Sequence, residues 1–364
     1  MNDDENKIRV VQADNLAALH AAEHDWDVFA QLRAVKELQT KDNRPFLVLE
    51  LADLHAVVEA KVWDDQKEAM AAAKQAPLRG PVKVRGRVRE WQGKPQLVVE
   101  RLRAIDPNDA PPGFAPDQLI DPALAPVEDL CCKTLVVDIE TVPAFDRRDL
   151  PPTVAEALSD NATRKEMEPG AVMGMSPFFG KVVSLAIGDG DAEPGSGDDG
   201  VTVLAVPPDG VVLDPCPAWL RPMSERDLLA AFWALAGKAE TVVTFNGRGF
   251  DLPFLVTRSL IHGIPSRVDL VSQRFALRPH LDLFELLTQK GRGPSKLDVV
   301  CWALGIESPK EVMDGSMVAP AYARGEIVKI AEYNAHDVRA TAAIYRKCRD
   351  LILRYRADWQ PSKK

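Results

Sequence analysis

The sequence of 364 residues lacks long apolar runs and is poor in cysteine, and both shortages exclude whole classes of protein. No stretch approaches the roughly 18 apolar residues of a membrane-spanning helix, so we expect no integral membrane protein. The opening residues MNDDENK have no apolar core behind a basic head, and we therefore expect no secretory signal. Five cysteines without a Cys-x-x-Cys pair argue against a disulfide framework or a zinc ribbon. Together these absences predict a cytoplasmic protein.

The composition is that of a globular protein, but its charge is unevenly distributed. Hydrophobic residues make up 46% of the chain and charged residues 27%, and at about 150 residues per domain the length favours two domains. The formal net charge is −9. Residues 79–103 nevertheless carry eight basic side chains against two acidic ones, whereas residues 106–130 carry six acids and no base. This segregation keeps nucleic acid open as a partner.

A segment rich in proline and acid, residues 106–129, shows neither helical nor strand periodicity. It predicts an extended linker or docking strap between two domains. We therefore divide the chain into an N-terminal extension (1–25), a first domain (26–105), an acidic linker (106–133) and a second domain (134–360).

Short strand patterns dominate the first domain. They lie at Pro45–Leu51, Ala56–Trp63, Val82–Trp91 and Gln96–Leu102, with a short helix expected at Ala69–Ala76. In the third pattern, valines alternate with basic residues, which indicates an apolar face inward and a basic face outward. Short strands packed this closely within about 80 residues predict a small all-β barrel.

Strands and helices alternate in the second domain. Apolar strands are expected at Lys133–Val142 and from Lys181, Val201, Thr241 and His280. Helices are expected from Ser224 to Ala236, from Leu252 to Gly263, from Lys296 to Gly305 and from Ile327 to Leu353. This order predicts a mixed α/β sheet flanked by helices.

Two carboxylates, Asp138 and Glu140, interrupt the first apolar strand of the second domain. Residues i and i+2 of a strand point to the same face, so both carboxylates project together. Carboxylate oxygens suit Mg²⁺ or Mn²⁺, and a bound cation would compensate two anions on so apolar a strand. A pair at a strand end that faces water fits the same pattern, and the strand alone leaves both interpretations open.

Three further polar residues stand where a site is expected. Asp251 follows a strand and a turn at the start of a helix, which suits a site at the carboxyl ends of strands and equally suits a helix cap. Tyr333 and Asp337 are spaced i, i+4 on the last helix and share one face. A surface aspartate beside a half-buried tyrosine would show the same spacing.

Taken in order, three motifs resemble those of the DEDD superfamily of 3′–5′ exonucleases: VVDIETVP (Val136–Pro143), FNGRGFDLPFL (Phe245–Leu255) and YNAHDV (Tyr333–Val338). The resemblance is to the subgroup with tyrosine in the last motif, which includes the proofreading domain of family B DNA polymerases and stand-alone bacterial relatives. The segments HLDLFELL and SKLDVVCWALGI are similar to that branch, and the resemblance covers roughly Thr134–Leu353. Residues 144–177 and 207–222 fall outside the family's core pattern.

The resemblance implies an RNase H-like fold and two-metal hydrolysis of phosphodiester bonds, with two divalent ions, Mg²⁺ or Mn²⁺. Asp138 would bridge both ions, Glu140 and Asp337 would complete the site on the nucleophile side, and Asp251 would hold the second ion. Tyr333 would orient the attacking water, because a tyrosine with a pKa of about 10 is too weak an acid to act as an ordinary base. Contacts to the terminal nucleotide are expected from Thr141, Asn246 and Phe250.

The first domain resembles an OB-fold, similar to the barrel that precedes the catalytic domain in some bacterial 3′–5′ exoribonucleases. The segments that carry this resemblance are Arg44–Asp53, Val58–Asp65 and Val82–Asp106. Such barrels bind single strands through a basic groove and stacked aromatics. The contacts expected here are Arg85, Arg87, Arg89 and Trp91. A solvated charged face is the alternative for the arginines, and we expect Trp63 and Phe46 to fill the barrel interior.

The sequence thus predicts a metal-dependent 3′–5′ exonuclease that takes single-stranded nucleic acid with a free 3′ end from the barrel to the acidic site. Two alternatives are a non-catalytic single-strand-binding protein on a degenerate nuclease fold and an RNase H-like endonuclease such as a junction resolvase. Acids at all four positions argue against the non-catalytic alternative. The polymerase-like motifs favour DNA, whereas the resemblance of the barrel favours RNA, and we expect a slight preference for DNA.

Overall fold

The computed structural model describes residues 9–91, 94–106, 110–192, 200–273, 276–288, 296–307 and 313–359. The chain forms two compact units, Met1–Ala125 and Pro126–Lys364. In the described ranges, no helix is long and apolar enough to cross a membrane.

The first unit is a closed β-barrel. Its strands are β1 (Val10–Gln12), β2 (Asp25–Gln39), β3 (Pro45–Ala52), β4 (Val57–Trp63), β5 (Pro81–Trp91) and β6 (Lys94–Ala104). The order β2-β3-β4-β6-β5 closes through a second pairing of β5 with β2, while β1 pairs beside β2. Helix α1 (Lys67–Gln75) lies between β4 and β5 in the chain. Five strands closed in this Greek-key order form an OB-fold, as the sequence predicts.

Alternate residues of each strand fill the barrel. Leu47, Leu49 and Leu51 of β3 and Ala60 and Val62 of β4 are fully buried. Their neighbours in the strand point outward because successive side chains of a strand alternate between its two faces.

The expectation that Phe46 and Trp63 fill the barrel interior is wrong. Both side chains are only partly buried, and neither belongs to the buried cluster of the barrel. The parity of β3 and β4 places them on the outer face, together with Lys61, because Leu47 and Val62 already point inward.

The second unit contains a six-stranded mixed sheet in the order β10-β9-β8-β7-β11-β12. Its strands are β7 (Thr134–Pro143), β8 (Gly180–Asp189), β9 (Val201–Ala205), β10 (Leu220–Pro222), β11 (Thr241–Thr244) and β12 (His280–Asp282). Strand β8 is antiparallel to both β7 and β9, and the other neighbours are parallel. Helices flank the sheet, and the predicted RNase H-like fold class is confirmed.

The helices of the second unit begin and end largely where their caps predict. They are α2 (Pro152–Lys165), α3 (Pro169–Gly174), α4 (Glu225–Ala236), α5 (Asp251–His262), α6 (Leu283–Thr288), α7 (Leu297–Leu304), α8 (Val318–Ala323) and α9 (Ile327–Leu351). The Ser224 hydroxyl caps α4 by accepting from the Asp227 N–H at 3.1 Å. Gly263 and Gly305 end α5 and α7 in the left-handed conformation, with φ of +65° and +64°.

The segment outside the family's core pattern, residues 144–177, folds against the strand that carries the first two acids. It contains α2 and α3, and α3 packs on β7. The Thr141 hydroxyl donates to the Gly174 carbonyl at 2.7 Å. This segment therefore belongs to the surroundings of the acidic residues.

Candidate active site

Three sequence-distant elements bring the predicted acids together. Strand β7 presents Asp138 and Glu140 toward α9, which carries Asp337 and packs across β7, β8 and β9. Ligand atoms of these three carboxylates lie within 4.8 Å of one another. Asp251, the first residue of α5, reaches β7 through its Oδ1, which accepts from the Ile139 N–H at 3.2 Å.

The carboxylates destabilise one another's charged forms. Asp251 and Asp337 are buried, whereas Asp138 and Glu140 are half-buried. Desolvation, followed by the charges of Asp251, Asp337 and Glu140, raises the pKa of Asp138 well above its usual value. Desolvation and the charges of Asp337 and Asp251 raise the pKa of Glu140 in the same way. Four acids in such a place are held charged only when cations offset the repulsion.

The pKa of Asp251 is raised as well. Burial raises the pKa of Asp251 to about 7, although its hydrogen bond with the Ile139 N–H acts in the opposite direction. The charges of Asp282 and Asp337 raise this pKa further.

Tyr333 lies one turn before Asp337 on α9 and is buried. Burial, followed by the charges of Asp337, Glu140 and Asp138, raises the pKa of Tyr333 far above its usual value. A hydrogen bond with Asp337 contributes to the same shift. The tyrosine hydroxyl therefore keeps its proton, and it can orient a water molecule without serving as a base.

A buried amide that the sequence analysis missed holds Asp138. Asn334 is fully buried on α9. In the orientation that satisfies both ends of its amide, the nitrogen donates to Asp138 Oδ2 at 3.3 Å and the oxygen accepts from the Ser184 hydroxyl at 3.0 Å. The signal was present in the sequence, because Asn334 stands next to Tyr333 on the helix face that turns toward the sheet.

A second missed residue, Asp282, fixes the turn that precedes Asp251. Its buried carboxylate accepts from the Asn246 N–H and the Arg248 N–H, both at 2.9 Å. The same group accepts from the Phe284 N–H at 3.0 Å and so caps α6. One carboxylate therefore joins the end of β12 to the turn after β11.

The turn after β11 restricts which residues can occupy it. Asn246 adopts a left-handed conformation with φ of +63°, which asparagine tolerates better than most residues. A Cβ on Gly247 would lie 2.4 Å from the Thr244 hydroxyl oxygen, so this position requires glycine. The turn formed by residues 246–249 (NGRG) thus positions Asp251 beside the other acids.

The expected contacts to the terminal nucleotide lie near the acids in sequence. Thr141 and Phe250 are half-buried, and Asn246 is exposed. The Phe250 ring packs on Phe254 at 5.6 Å between centroids. Thr141 lies near the end of β7, Asn246 follows β11, and Phe250 directly precedes α5. Their role stays a prediction.

Two of the three arginines expected to bind nucleic acid on the barrel form ion pairs with acidic neighbours. Arg85 donates to both carboxylate oxygens of Asp27 at 2.6 and 2.9 Å, and this interaction lowers the pKa of Asp27. Arg87 donates twice to Asp25 Oδ1, at 2.9 and 2.7 Å. Arg89 is exposed, and the side chain of Trp91 lies outside the described residues.

An aromatic pair with an attached cation stands on the outer face of the barrel. The Phe46 and Trp63 rings stack at 5.1 Å between centroids. Lys61 Nζ lies 5.8 Å from the Phe46 centroid and 6.0 Å from the Trp63 centroid. We call these three residues the aromatic platform.

In a chelator, the unfolding temperature of the second unit is expected to fall as the pH rises from about 4 to 7. Because the folded-state pKa of Asp251 lies above its ordinary value of 3.8, this group stabilises the fold at low pH and that stability is lost as the pH rises through about 7. For Asp251 alone the loss is at most about 4 kcal/mol, since one pKa unit corresponds to about 1.4 kcal/mol. Differential scanning calorimetry at several pH values measures it.

Two comparisons complete this measurement. Mn²⁺ is expected to flatten the pH dependence, because a cation stabilises the ionised carboxylates. Asp251→Asn should flatten it in the chelator as well. A wild-type curve that rises over this pH range would contradict the repulsion described above.

Comparison with known proteins finds a match to part of the second unit. Residues 220–354 match a family described as a predicted 3′-5′ exonuclease related to the exonuclease domain of PolB. The matched range contains Asp251, Tyr333 and Asp337, and it begins after β7.

Among solved structures, the chain is similar to the family B DNA polymerase from the hyperthermophilic archaeon Pyrobaculum calidifontis, with 14% identity and a TM-score of 0.38. The similarity covers 88% of this chain and 46% of the polymerase, so the chain spans less than half of that protein. Two smaller similarities are to the second OB-fold domain of replication protein A from Methanococcus maripaludis and to the SSB domain of a protein from Synechococcus sp.. Their identities are 17% and 19%, their TM-scores are 0.21 and 0.20, and they cover 26% and 23% of this chain and 96% and 99% of those chains. The chain therefore joins an OB-fold barrel to a unit of which residues 220–354 match a family of predicted 3′-5′ exonucleases.

Proposed function

We propose that this protein is a divalent-metal-dependent 3′–5′ exonuclease that acts on single-stranded nucleic acid, with DNA preferred to RNA. The observation that carries the proposal is the convergence of four carboxylates and one tyrosine from β7, α5 and α9. Residues so far apart in sequence meet at one place, where their charged forms are unstable without cations.

The residues present suit divalent metal ions with oxygen ligands. All four donors are carboxylates, which favours Mg²⁺ or Mn²⁺ over metals that prefer histidine or cysteine. Asp138, Glu140 and Asp337 would hold one ion, and Asp138 with Asp251 would hold the second. When bound, two such ions supply a nucleophile and the charge stabilisation that hydrolysis of a phosphodiester requires.

The chain itself fixes the positions of the reacting groups. Asn334 holds the Asp138 carboxylate through a hydrogen bond of 3.3 Å, and the Ile139 N–H holds that of Asp251. The Tyr333 hydroxyl, which keeps its proton, stands beside Asp337 and orients the attacking water. Thr141, Asn246 and Phe250 contact the terminal nucleotide at the ends of β7 and β11.

The barrel binds the single strand through the aromatic platform. Stacking on partly exposed rings is tolerant of base sequence, and Lys61 adds a cation for the phosphate backbone. The surface formed by the second and third strands of an OB-fold is the usual oligonucleotide face, and β3 and β4 occupy those places here. Arg85 and Arg87 contribute less to binding of the strand than free arginines would, because Asp27 and Asp25 neutralise their charges.

The aromatic platform and Arg87 of β5 lie on the same face of neighbouring strands. Lys61 of β4 lies opposite Val98 of β6, and Val98 lies opposite Arg87 of β5. Directly paired residues share a face of the sheet, so a bound strand that leaves the rings meets Arg87 next. The preference for DNA rests on the family matched by residues 220–354, which is described by its relation to a polymerase exonuclease.

A time course on 5′-labelled DNA and RNA of one sequence tests the proposal. With Mg²⁺ or Mn²⁺ we expect a ladder that shortens from the 3′ end, faster on DNA, and no reaction in EDTA. A 3′-blocked strand and a circular strand serve as controls and should both resist. Cutting of the circle would instead indicate an endonuclease, and tight binding without cleavage would leave a binding protein.

A further inference from the structure

The pairing of β7 with β8 contains an irregularity directly beside the acids. Glu140 lies opposite Ser184, but the next residue of β7, Thr141, lies opposite Val182. Val183 is therefore an extra residue on β8, which makes this a β-bulge. A one-residue slip in register turns all subsequent side chains of that strand to the other face.

The bulge brings Lys181 to the acidic face of the sheet. Lys181 lies opposite Val142, and directly paired residues project from the same face. Val142 in turn is two residues from Glu140, so Glu140, Val142 and Lys181 share one face. With regular pairing, Lys181 would point away from the acids.

The surroundings of Lys181 agree with this placement. Its Nζ lies 4.9 Å from the centroid of the Tyr322 ring on α8, a helix that packs on β7. Tyr322 belongs to the same core cluster as Val142 and Tyr333. The tyrosine ring thus fixes the lysine stem at the edge of the candidate active site.

The Lys181 ammonium is a cation without an acidic partner in the described part of the chain. It forms no ion pair there, although Glu140 stands diagonally across the strand pair. Diagonal neighbours in a sheet are about 7–8 Å apart, which long side chains can span, but the Lys181 ammonium lies over the Tyr322 ring instead. The side chain is half-buried, so its charged end reaches solvent.

We infer that Lys181 binds the phosphate group of the substrate strand that neighbours the scissile phosphate. The carboxylates and their cations would bind the scissile phosphate itself. Because Lys181 is displaced from Glu140, its position suits the neighbouring phosphate of the nucleic-acid strand. Lys181 is then a positioning residue that makes the enzyme favour a polynucleotide over an isolated phosphodiester. This inference rests on the proposed exonuclease function.

Two substrates and three variants test the inference. Lys181→Met keeps an apolar stem on Tyr322, Lys181→Arg restores the charge, and Lys238→Met removes an exposed lysine elsewhere in the same unit. The substrates are a single-stranded DNA oligonucleotide and the p-nitrophenyl ester of thymidine 5′-monophosphate, which contains one phosphate.

On the oligonucleotide, Lys181→Met is expected to raise KM about 5- to 10-fold with little change in kcat, and to reduce the salt dependence by about one phosphate contact. Lys181→Arg should recover most of the KM, and Lys238→Met should match the wild type. On the single-phosphate ester, all three variants should match the wild type. If Lys181 had only a structural role, Lys181→Met would be impaired on the ester as well.

Two results overturn the inference alone: a Lys181→Met enzyme that matches Lys238→Met on the oligonucleotide, or one that is equally impaired on the ester. A wild-type protein that hydrolyses neither substrate with Mn²⁺ would overturn the proposed function, and the inference with it. The wild-type rates separate this last outcome from the first two, and the rate of Lys181→Met on the ester separates the first two from each other.

Discussion

Replacement of Asp138 by asparagine is expected to lower the rate of the proposed 3′–5′ hydrolysis on the order of 1,000-fold, because the carboxylate that we propose to hold both metal ions loses its charge. The same change should raise the unfolding temperature in EDTA, since it removes an anion that Asp251, Asp337 and Glu140 repel. Single-turnover rates and calorimetry on one preparation measure both effects.

Asp160→Asn is the matched control, because Asp160 is an exposed aspartate on α2. It should leave the rate and the unfolding temperature unchanged. Binding of single-stranded DNA by Asp138→Asn should equal that of the wild type, since the barrel is intact. An Asp138→Asn protein that unfolds earlier than the wild type in EDTA would show that the carboxylate stabilises the fold and would refute the repulsion argument.

Replacement of Trp63 by alanine is expected to weaken binding of single-stranded DNA about 10- to 100-fold, because stacking on one base contributes about 1–3 kcal/mol. A second replacement, Phe46→Ala, should weaken binding further. Neither residue belongs to the buried cluster of the barrel, so the unfolding temperature should change little. Fluorescence anisotropy with a labelled oligonucleotide measures the affinity.

Phe29→Ala offers a matched control on the same barrel. Phe29 lies on β2 with Lys83 Nζ 5.3 Å from its ring centroid, so it also pairs an aromatic ring with a cation. Its replacement should change the affinity by less than about twofold, apart from any loss of folded protein. If Phe29→Ala weakens binding as strongly as Trp63→Ala, the strand does not run over β3 and β4.

The acidic site could be predicted from the sequence because local patterns mark each of its parts. Asp138 and Glu140 stand out on an apolar strand, and Tyr333 and Asp337 share a helix face at i, i+4 spacing. Asp251 could be predicted only from the motif that contains it, since an aspartate that merely caps a helix would occupy the same position. Their convergence, however, is a property of the fold and became visible only when β7, α5 and α9 were in place.

The orientation of the barrel aromatics was predicted wrongly for a physical reason. The segment PFLVLEL is apolar at nearly every position, so its periodicity hides which face is buried. The charged neighbours indicate the outward face of each strand. Glu50 has the same parity as Phe46, and Glu59 and Lys61 have the same parity as Trp63. Charged residues mark the outer face of a strand more reliably than aromatic ones do.

Other features lie beyond any local pattern. The segment KVVSLAIG gives no sign of a bulge at Val183, because register depends on the partner strand. The pairing of Arg85 with Asp27 joins residues that are 58 positions apart. The role of Asp282 likewise depends on a turn 34 to 36 residues before it.

The distribution of the acids over three distant elements has a consequence for when the candidate active site is assembled. The contacts that join β7, α5 and α9 close very long loops, and such high-contact-order pairings form late in folding. A nascent or partly folded chain therefore has no complete set of carboxylates. By the same reasoning, a fragment that holds all four acids begins no later than β7, because a fragment limited to residues 220–354 holds only two of them. The complete set of carboxylates is thus a cooperative property of the whole second unit, and it forms only once that unit has reached its native topology.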